Sequence, residues 1–122
     1  MIGYVTVGTN DLDRAAKFYD AIAKELGTSR MMEFDGFIAW GTPGGGAGIA
    51  ATKPFDGNPA TVGNGVMVAF EAKDHDHVKR IYDVALANGG TDEGAPGARS
   101  DNFYAGYFRD PDGNKLNAFV MT

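Results

Sequence analysis

Near the end of the chain, the stretch RDPDGNK at residues 109–115 separates two segments that fit short β-strands. Asp110, Pro111 and Gly113 suit the first, second and fourth positions of a type I turn, because proline fixes φ near about −65° and glycine is favoured last. The segments on either side, residues 103–109 and 115–120, therefore form a predicted β-hairpin. This hairpin is the most specific element of the sequence.

The first strand of the sequence is predicted at residues 4–7. Its residues alternate, so Val5 and Val7 share one face while Tyr4 and Thr6 share the other. Short strands are also predicted at residues 31–34, 37–40 and 48–52, with a hairpin turn at residues 35–36.

An amphipathic helix is predicted between these strands. Asn10 or Asp11 is expected as its N-cap, and Gly27 follows its last turn. Its apolar stripe consists of Leu12, Ala15, Ala16, Tyr19, Ile22 and Leu26.

The second half of the chain repeats the first. Six residues recur at a constant offset of 63 positions: Asp11, Asp13, Tyr19, Asp20, Gly27 and Thr28 match Asp74, Asp76, Tyr82, Asp83, Gly90 and Thr91. A strand at 66–71, a helix capped by Asp74 and the final hairpin complete the second copy. The sequence thus predicts a single domain over residues 1–122, with one βαβββ module at about 1–53, a linker at about 54–62 and a second module at about 63–122.

The composition excludes several classes of function. The chain carries 11 Lys and Arg against 16 Asp and Glu, a net charge of −5. We expect no nucleic-acid partner, because binding to a phosphate backbone needs clustered cations. The absence of cysteine excludes disulfides and thiolate nucleophiles. No apolar run reaches the roughly 20 residues that span a bilayer, and no secretory signal is visible, so we expect a cytoplasmic protein without a membrane partner.

The sequence resembles the vicinal oxygen chelate superfamily, which contains glyoxalase I, bleomycin-resistance proteins and extradiol dioxygenases. The resemblance rests on Asn10-Asp11-Leu12 with Phe18-Tyr19, on residues 109–115 and on the duplication. It implies an α+β fold in which two βαβββ modules pair into a curved mixed sheet around a cup-shaped cavity. It also implies a homodimer, with the cup either inside one chain or shared by two.

Enzymes of that superfamily hold a divalent metal with His, Gln or Glu on the first and last strands of each module. The matching positions here are Tyr4, Met67, Asn117 and a residue within 48–51. Methionine, a lone amide and a neutral phenol are poor ligands for such ions. We therefore expect no metal and no cofactor. His75 and His77, two residues apart at a helix start, are expected to be solvent-exposed rather than metal-binding.

The resemblance and the strand alternation together nominate residues that line the cup. Tyr4, Thr6 and Met67 come from the first strands, and Asn117 and Phe119 from the last. Trp40, Tyr107 and Arg99 complete the set; Trp40 is alternatively a core residue, and Arg99 is placed in a loop over the cavity. Such a surface binds an organic molecule by apolar contact and a few hydrogen bonds.

Three functions are compatible with the sequence. The first is a metal-independent protein that binds a small organic molecule. The second is an enzyme, either a glyoxalase-like lyase or isomerase with shifted metal ligands or a metal-free catalyst that uses Tyr4 or Tyr107 as acid or base. The third is a structural or regulatory partner whose cup is filled by side chains. The sequence leaves enzymatic activity open, although it disfavours metal-dependent glyoxalase or dioxygenase chemistry.

Overall fold

The computed structural model describes residues 1–122 and contains two βαβββ modules. The elements of the first module are β1 (Tyr4–Gly8), α1 (Leu12–Glu25), β2 (Ser29–Phe34), β3 (Phe37–Gly41) and β4 (Gly48–Thr52). The elements of the second are β5 (Val68–Glu71), α2 (His75–Ala87), β6 (Thr91–Ser100), β7 (Phe103–Arg109) and β8 (Lys115–Met121). The predicted α+β fold class is confirmed. Neither helix has the length and apolar character needed to cross a lipid bilayer.

Each module forms its own mixed four-stranded sheet. The strand orders are β1-β4-β3-β2 and β5-β8-β7-β6, and in both sheets the first strand runs parallel to the last strand of its module. The equivalent order confirms the duplication. No strand of one sheet pairs with a strand of the other, so β1 and β5 each keep one free edge.

The helices begin and end where local chemistry predicts. The side chain of Asp11 accepts a hydrogen bond from the backbone N–H of Arg14, and that of Asp74 accepts one from His77. Of the two candidate caps for α1, Asp11 is therefore the one used. Gly27 ends the first helix with φ of 78°, a conformation that only glycine adopts without strain.

The two helices lie between the two sheets. α1 packs on β2, β3 and β4, α2 packs on β6, β7 and β8, and the helices contact each other. This layering buries α1 on two sides, so Phe18, absent from the predicted stripe, is fully buried and its ring lies 6.5 Å from that of Phe108 in the second module. Burying one such side chain contributes about 1.5–3 kcal/mol.

The RDPDGNK stretch joins the modules as well as making the predicted turn. The N–H of Gly113 donates to the carbonyl of Asp110, as a β-turn requires. Asp112 accepts hydrogen bonds from the N–H of Asn10 and from the guanidinium of Arg14, at 2.9 and 2.8 Å. The side-chain amide of Asn114 donates to the carbonyl of Gly8 at 2.9 Å. The last hairpin therefore holds the start of the first module in place.

Two predicted elements differ from the structure. The sequence predicts a loop at residues 97–102 around Arg99, but residues 97–100 belong to β6, which pairs along β7 with three irregularities of register. β5 begins at Val68 rather than Val66. In both cases pairing with a neighbouring strand, rather than local pattern, sets the boundary.

Candidate functional site

The face of the second sheet that points away from the helices is called here the second outer face. Leu116, Ala118 and Val120 of β8 pack in the core on the helix side. Alternation therefore places Asn117 and Phe119 on the outer face. Strand register puts Tyr107 of β7 directly beside Asn117. Three predicted cup-lining residues thus lie together on one surface.

Asn117 is the most unusual residue of this face. It is 1% exposed, and its side-chain oxygen has no hydrogen-bond partner. Buried polar groups are almost always paired, since leaving one unpaired costs about 1–3 kcal/mol. The side-chain oxygen of Asn117, beside Tyr107, therefore lacks the partner that a buried polar atom normally has.

Arg99 reaches the same surface from β6 rather than from the expected loop. Its guanidinium donates to the carbonyls of Gly97 and Ala95, both at 2.9 Å. Its central carbon lies 5.3 Å from the centre of the Tyr107 ring. The ammonium of Lys115 lies 5.6 Å from the same ring centre. The sequence analysis does not include Lys115 among the site residues. Its spacing of two from Asn117 on one strand nevertheless indicates that both share a face.

An aromatic pair extends the second outer face beyond Asn117. The rings of Phe103 and Phe119 stack with centres 5.6 Å apart. Ala105 separates them from Tyr107 along β7 and pairs with Phe119 in the register. The face therefore offers cations at one end and an apolar, planar surface at the other.

The corresponding face of the first sheet, called here the first outer face, carries hydroxyl and aromatic side chains from β1 and β3. Tyr4 and Thr6 lie on it, opposite the core-facing Val7, and the rings of Tyr4 and Phe37 meet edge to face with their centres 6.3 Å apart. Tyr4 is 54% exposed. The two outer faces belong to separate sheets with both helices between them, so one chain does not close a cup.

The positions that hold metal in related enzymes carry no metal-binding set. The register pairs Asn117 with Ala69 and Thr6 with Ala50, which identifies Ala50 as the first-module counterpart of Asn117. An alanine, a tyrosine, a methionine and an asparagine do not fit a divalent ion. No group of three or more His, Asp or Glu side chains in the chain could hold a metal ion elsewhere.

Trp40 lies on the helix side of the first sheet, away from Tyr4 and Thr6. Its ring centre is 5.2 Å from that of Tyr19, and its indole N–H donates to Asp20 at 2.8 Å. Hydrogen bonds from Arg30 and, secondarily, Trp40 hold the pKa of Asp20 below its usual value. Trp40 is thus a core residue, the alternative that the sequence left open.

A cavity of about 330 Å³ lies between the modules, bordered by α1 and by residues of β1 and β5. It is almost wholly apolar. Its walls include Val5, Ile22, Trp40, Ile49, Met67 and Phe70. Met67 therefore borders this cavity and, with Lys115, a loop-lined cavity at the edge of the second sheet.

The histidines stabilise the packing. The expectation of solvent exposure is wrong for His77, which is 4% exposed. Its Nδ1 accepts from the N–H of Lys73, so its Nε2 carries the proton and donates to the carbonyl of Glu25. His75 stacks on Tyr104 at 3.9 Å. His75 is nevertheless exposed, as predicted, and only His77 is buried, where α2 packs against α1.

Comparison with known families shows which superfamily has this fold and sequence. Residues 1–118 match the model of the Glyoxalase/Bleomycin resistance protein/Dioxygenase superfamily. The chain belongs to this superfamily. A glyoxalase/bleomycin resistance protein from Albidiferax ferrireducens is 38% identical, covers 98% of this chain and 97% of its own, and superposes with a TM-score of 0.90.

More distant superfamily structures share the fold. A glyoxalase/bleomycin resistance protein/dioxygenase family enzyme from Burkholderia phytofirmans is 18% identical, with 98% of both chains covered and a TM-score of 0.78. A putative glyoxalase from Bacillus halodurans is also 18% identical, covers 98% of this chain and 94% of its own, and has a TM-score of 0.79. No curated protein matches the chain.

Proposed function

We propose that this superfamily member binds a small organic molecule on its outer faces without using a metal ion. The observation that carries the proposal is the side-chain oxygen of the Asn117 amide, which is buried without a hydrogen-bond partner at the centre of the second outer face. A ligand that hydrogen-bonds to this amide would offset its burial cost. Phe119 and Tyr107 beside it supply the apolar contact that small-molecule sites use.

The residue types support binding rather than metal chemistry. At the superfamily's metal positions, Ala50 and Met67 offer no ligand for a hard divalent ion, and Asn117 offers one weak oxygen. A carbonyl on the bound molecule would therefore not be polarised by a metal at this place. Drug-sequestering proteins need only such a surface, because sequestration requires affinity and no catalytic base.

We further propose that two chains pair through the free edges of β1 and β5. Each edge has one neighbouring strand only, and large apolar side chains are exposed next to both: Ile2 at 56% and Val66 at 62%. Exposed apolar edges of this kind favour association. Pairing β1 of one chain with β5 of a second copy would join a first outer face to a second outer face and complete one cavity.

The dimer is tested by light scattering during size-exclusion chromatography. We expect twice the chain mass for the wild type and a shift toward monomer for Val66→Lys and Ile2→Lys. Phe34→Lys is the matched control, because Phe34 is also an exposed apolar residue and lies in β2, at the opposite edge of the first sheet from β1. A wild-type monomer would contradict the dimer without bearing on whether the second outer face binds a ligand.

The binding function is tested on protein purified without chelators. We expect native mass spectrometry to detect an organic ligand or calorimetry to detect stoichiometric binding, with elemental analysis showing far less than one metal ion per chain. A full equivalent of metal would contradict the proposal. Turnover of the adduct of methylglyoxal and glutathione would instead establish a glyoxalase-type enzyme.

A further inference from the structure

The second outer face concentrates positive charge in a chain whose net charge is −5. Arg99 and Lys115 both face the Tyr107 ring, and neither forms a salt bridge, whereas the neighbouring Arg109 is paired with Glu93. Glu93 is the nearest carboxylate, because Arg109 is the register neighbour of Lys115, but Glu93 bonds Arg109 and not Arg99 or Lys115. The two cations near Tyr107 therefore lack a protein anion.

The position of Arg99 is held by the backbone of β6. A side chain at Gly97 would come within 3.2 Å of one guanidinium nitrogen, and a side chain at Gly94 within 3.3 Å of the other. These two glycines leave the space in which the guanidinium lies against the strand. Holding it there before binding lowers the entropy lost when a ligand is bound.

Arg99 and Lys115 retain unused hydrogen-bond donors. A guanidinium has five N–H groups, and those of Arg99 reach only the carbonyls of Gly97 and Ala95. The Lys115 ammonium lies over the Tyr107 ring and forms no hydrogen bond or salt bridge within the chain. Donors of this kind pair best with a carboxylate, because hydrogen bonds between ions are about twice as strong as neutral ones.

We infer that the second outer face selects an aromatic carboxylate, with its anionic group between Arg99 and Lys115 and its ring toward Phe119. This inference rests on the proposed binding function and names the class of ligand. The stacked rings of Phe103 and Phe119 provide the planar apolar surface. The Asn117 amide lies between the two ends and bonds a polar substituent of the ring.

The inference is tested by calorimetry with three probes of the same shape: naphthoate, naphthamide and naphthylmethylammonium. We expect naphthoate to bind about tenfold or more tightly than naphthamide, and the cationic probe to bind least. Naphthoate binding should weaken with added salt. Equal affinity for all three probes would overturn the inference and leave small-molecule binding intact. Absence of binding by all three would count against the proposed function as well.

Two variants locate the effect. Arg99→Gln and Lys115→Gln should each lower naphthoate affinity by about fivefold or more while leaving naphthamide affinity unchanged. Lys79→Gln, the same change on the exposed surface of α2, should alter neither. Circular dichroism melting checks that each variant is folded. If naphthoate affinity is unchanged in the two variants, the probe binds elsewhere, such as the apolar cavity, and the inference is wrong.

Discussion

The phenol of Tyr19 donates a 2.6 Å hydrogen bond to the carboxylate of Asp110, and this bond joins the two modules. Both residues are buried, at 1% and 3% exposure. Asp110 also accepts from the backbone of Asp112 and from the backbone and side chain of Asn114. The turn that closes the second module is thus fixed to the helix of the first.

Removing the phenol hydroxyl should destabilise the whole chain. In Tyr19→Phe, a buried carboxylate loses a short hydrogen bond, so we expect the free energy of unfolding to fall by about 1.5–3 kcal/mol. Urea denaturation followed by circular dichroism measures it. The control is Tyr82→Phe, whose hydroxyl bonds to the exposed Asp92 at 2.7 Å and should cost under about 1 kcal/mol. If both variants lose the same free energy of unfolding, the buried bond between Tyr19 and Asp110 stabilises the chain no more than the exposed one does.

The same pair predicts a loss of stability in alkali. Burial, and then the charge of Asp110, raises the pKa of Tyr19 well above its ordinary value of 10.0. The folded chain therefore keeps the phenol proton at a pH where the unfolded chain releases it. The resulting stabilisation is complete below about pH 10 and declines as the pH rises above it. Melting temperatures measured from about pH 9 to about pH 11 should fall more steeply for the wild type than for Tyr19→Phe. Parallel slopes would show that Tyr19 is not the responsible group.

Gly90 is required by close packing rather than by an unusual φ. A methyl group there would lie 2.7 Å from the carbonyl oxygen of Ala85 and 2.8 Å from that of Arg109. Backbone atoms cannot rotate away, so Gly90→Ala should lower the free energy of unfolding by about 1–3 kcal/mol. Gly46→Ala, where nothing lies within 4 Å, should change it by less than about 0.5 kcal/mol. Urea midpoints for both variants check this, and a neutral Gly90→Ala would show that the two carbonyls can separate.

The fold could be read from the sequence because its signals are local. The cap residues Asp11 and Asp74, the turn at residues 110–113 and the constant offset between the halves each specify an element without knowledge of its neighbours. β6 could not be read in this way. Residues 91–100 contain Gly94, Pro96 and Gly97 and lack apolar alternation, so only pairing with β7 makes them a strand.

The candidate site was predictable where strands alternate and unpredictable where they do not. Asn117 sits in β8 between two core residues, which fixes its face. Trp40 follows three apolar residues in β3, so alternation cannot assign its face; the register with β4 and the bond to Asp20 decide it. Arg99 was assigned to the surface but not to its strand, because the glycines that make room for it resemble a loop.

Divalent metals should leave the stability of the wild type unchanged. A ligand that binds the folded state raises the melting temperature, and the set of Tyr4, Ala50, Met67 and Asn117 gives Zn²⁺, Ni²⁺ or Mn²⁺ little to bind. Thermal shift assays with each ion test this. The triple variant Tyr4→His, Met67→His, Asn117→Glu restores the superfamily's ligand types and, in the proposed dimer, should gain a Zn²⁺-dependent increase. An increase of similar size in the wild type would contradict metal independence.

Displacing Arg99 without removing its charge tests whether the position of its guanidinium, and not only its charge, determines ligand affinity. In Gly97→Val the new side chain would occupy space 3.2 Å from the guanidinium, so the guanidinium must leave the β6 backbone. We expect naphthoate affinity to fall about threefold or more, with naphthamide affinity unchanged. Ala98→Val is the matched control, since Ala98 pairs with the core-facing Tyr104 and points to the opposite face. Calorimetry on both variants measures the difference. Equal affinities would mean that the charge of Arg99 suffices wherever it lies, and that the glycines of β6 do not position it.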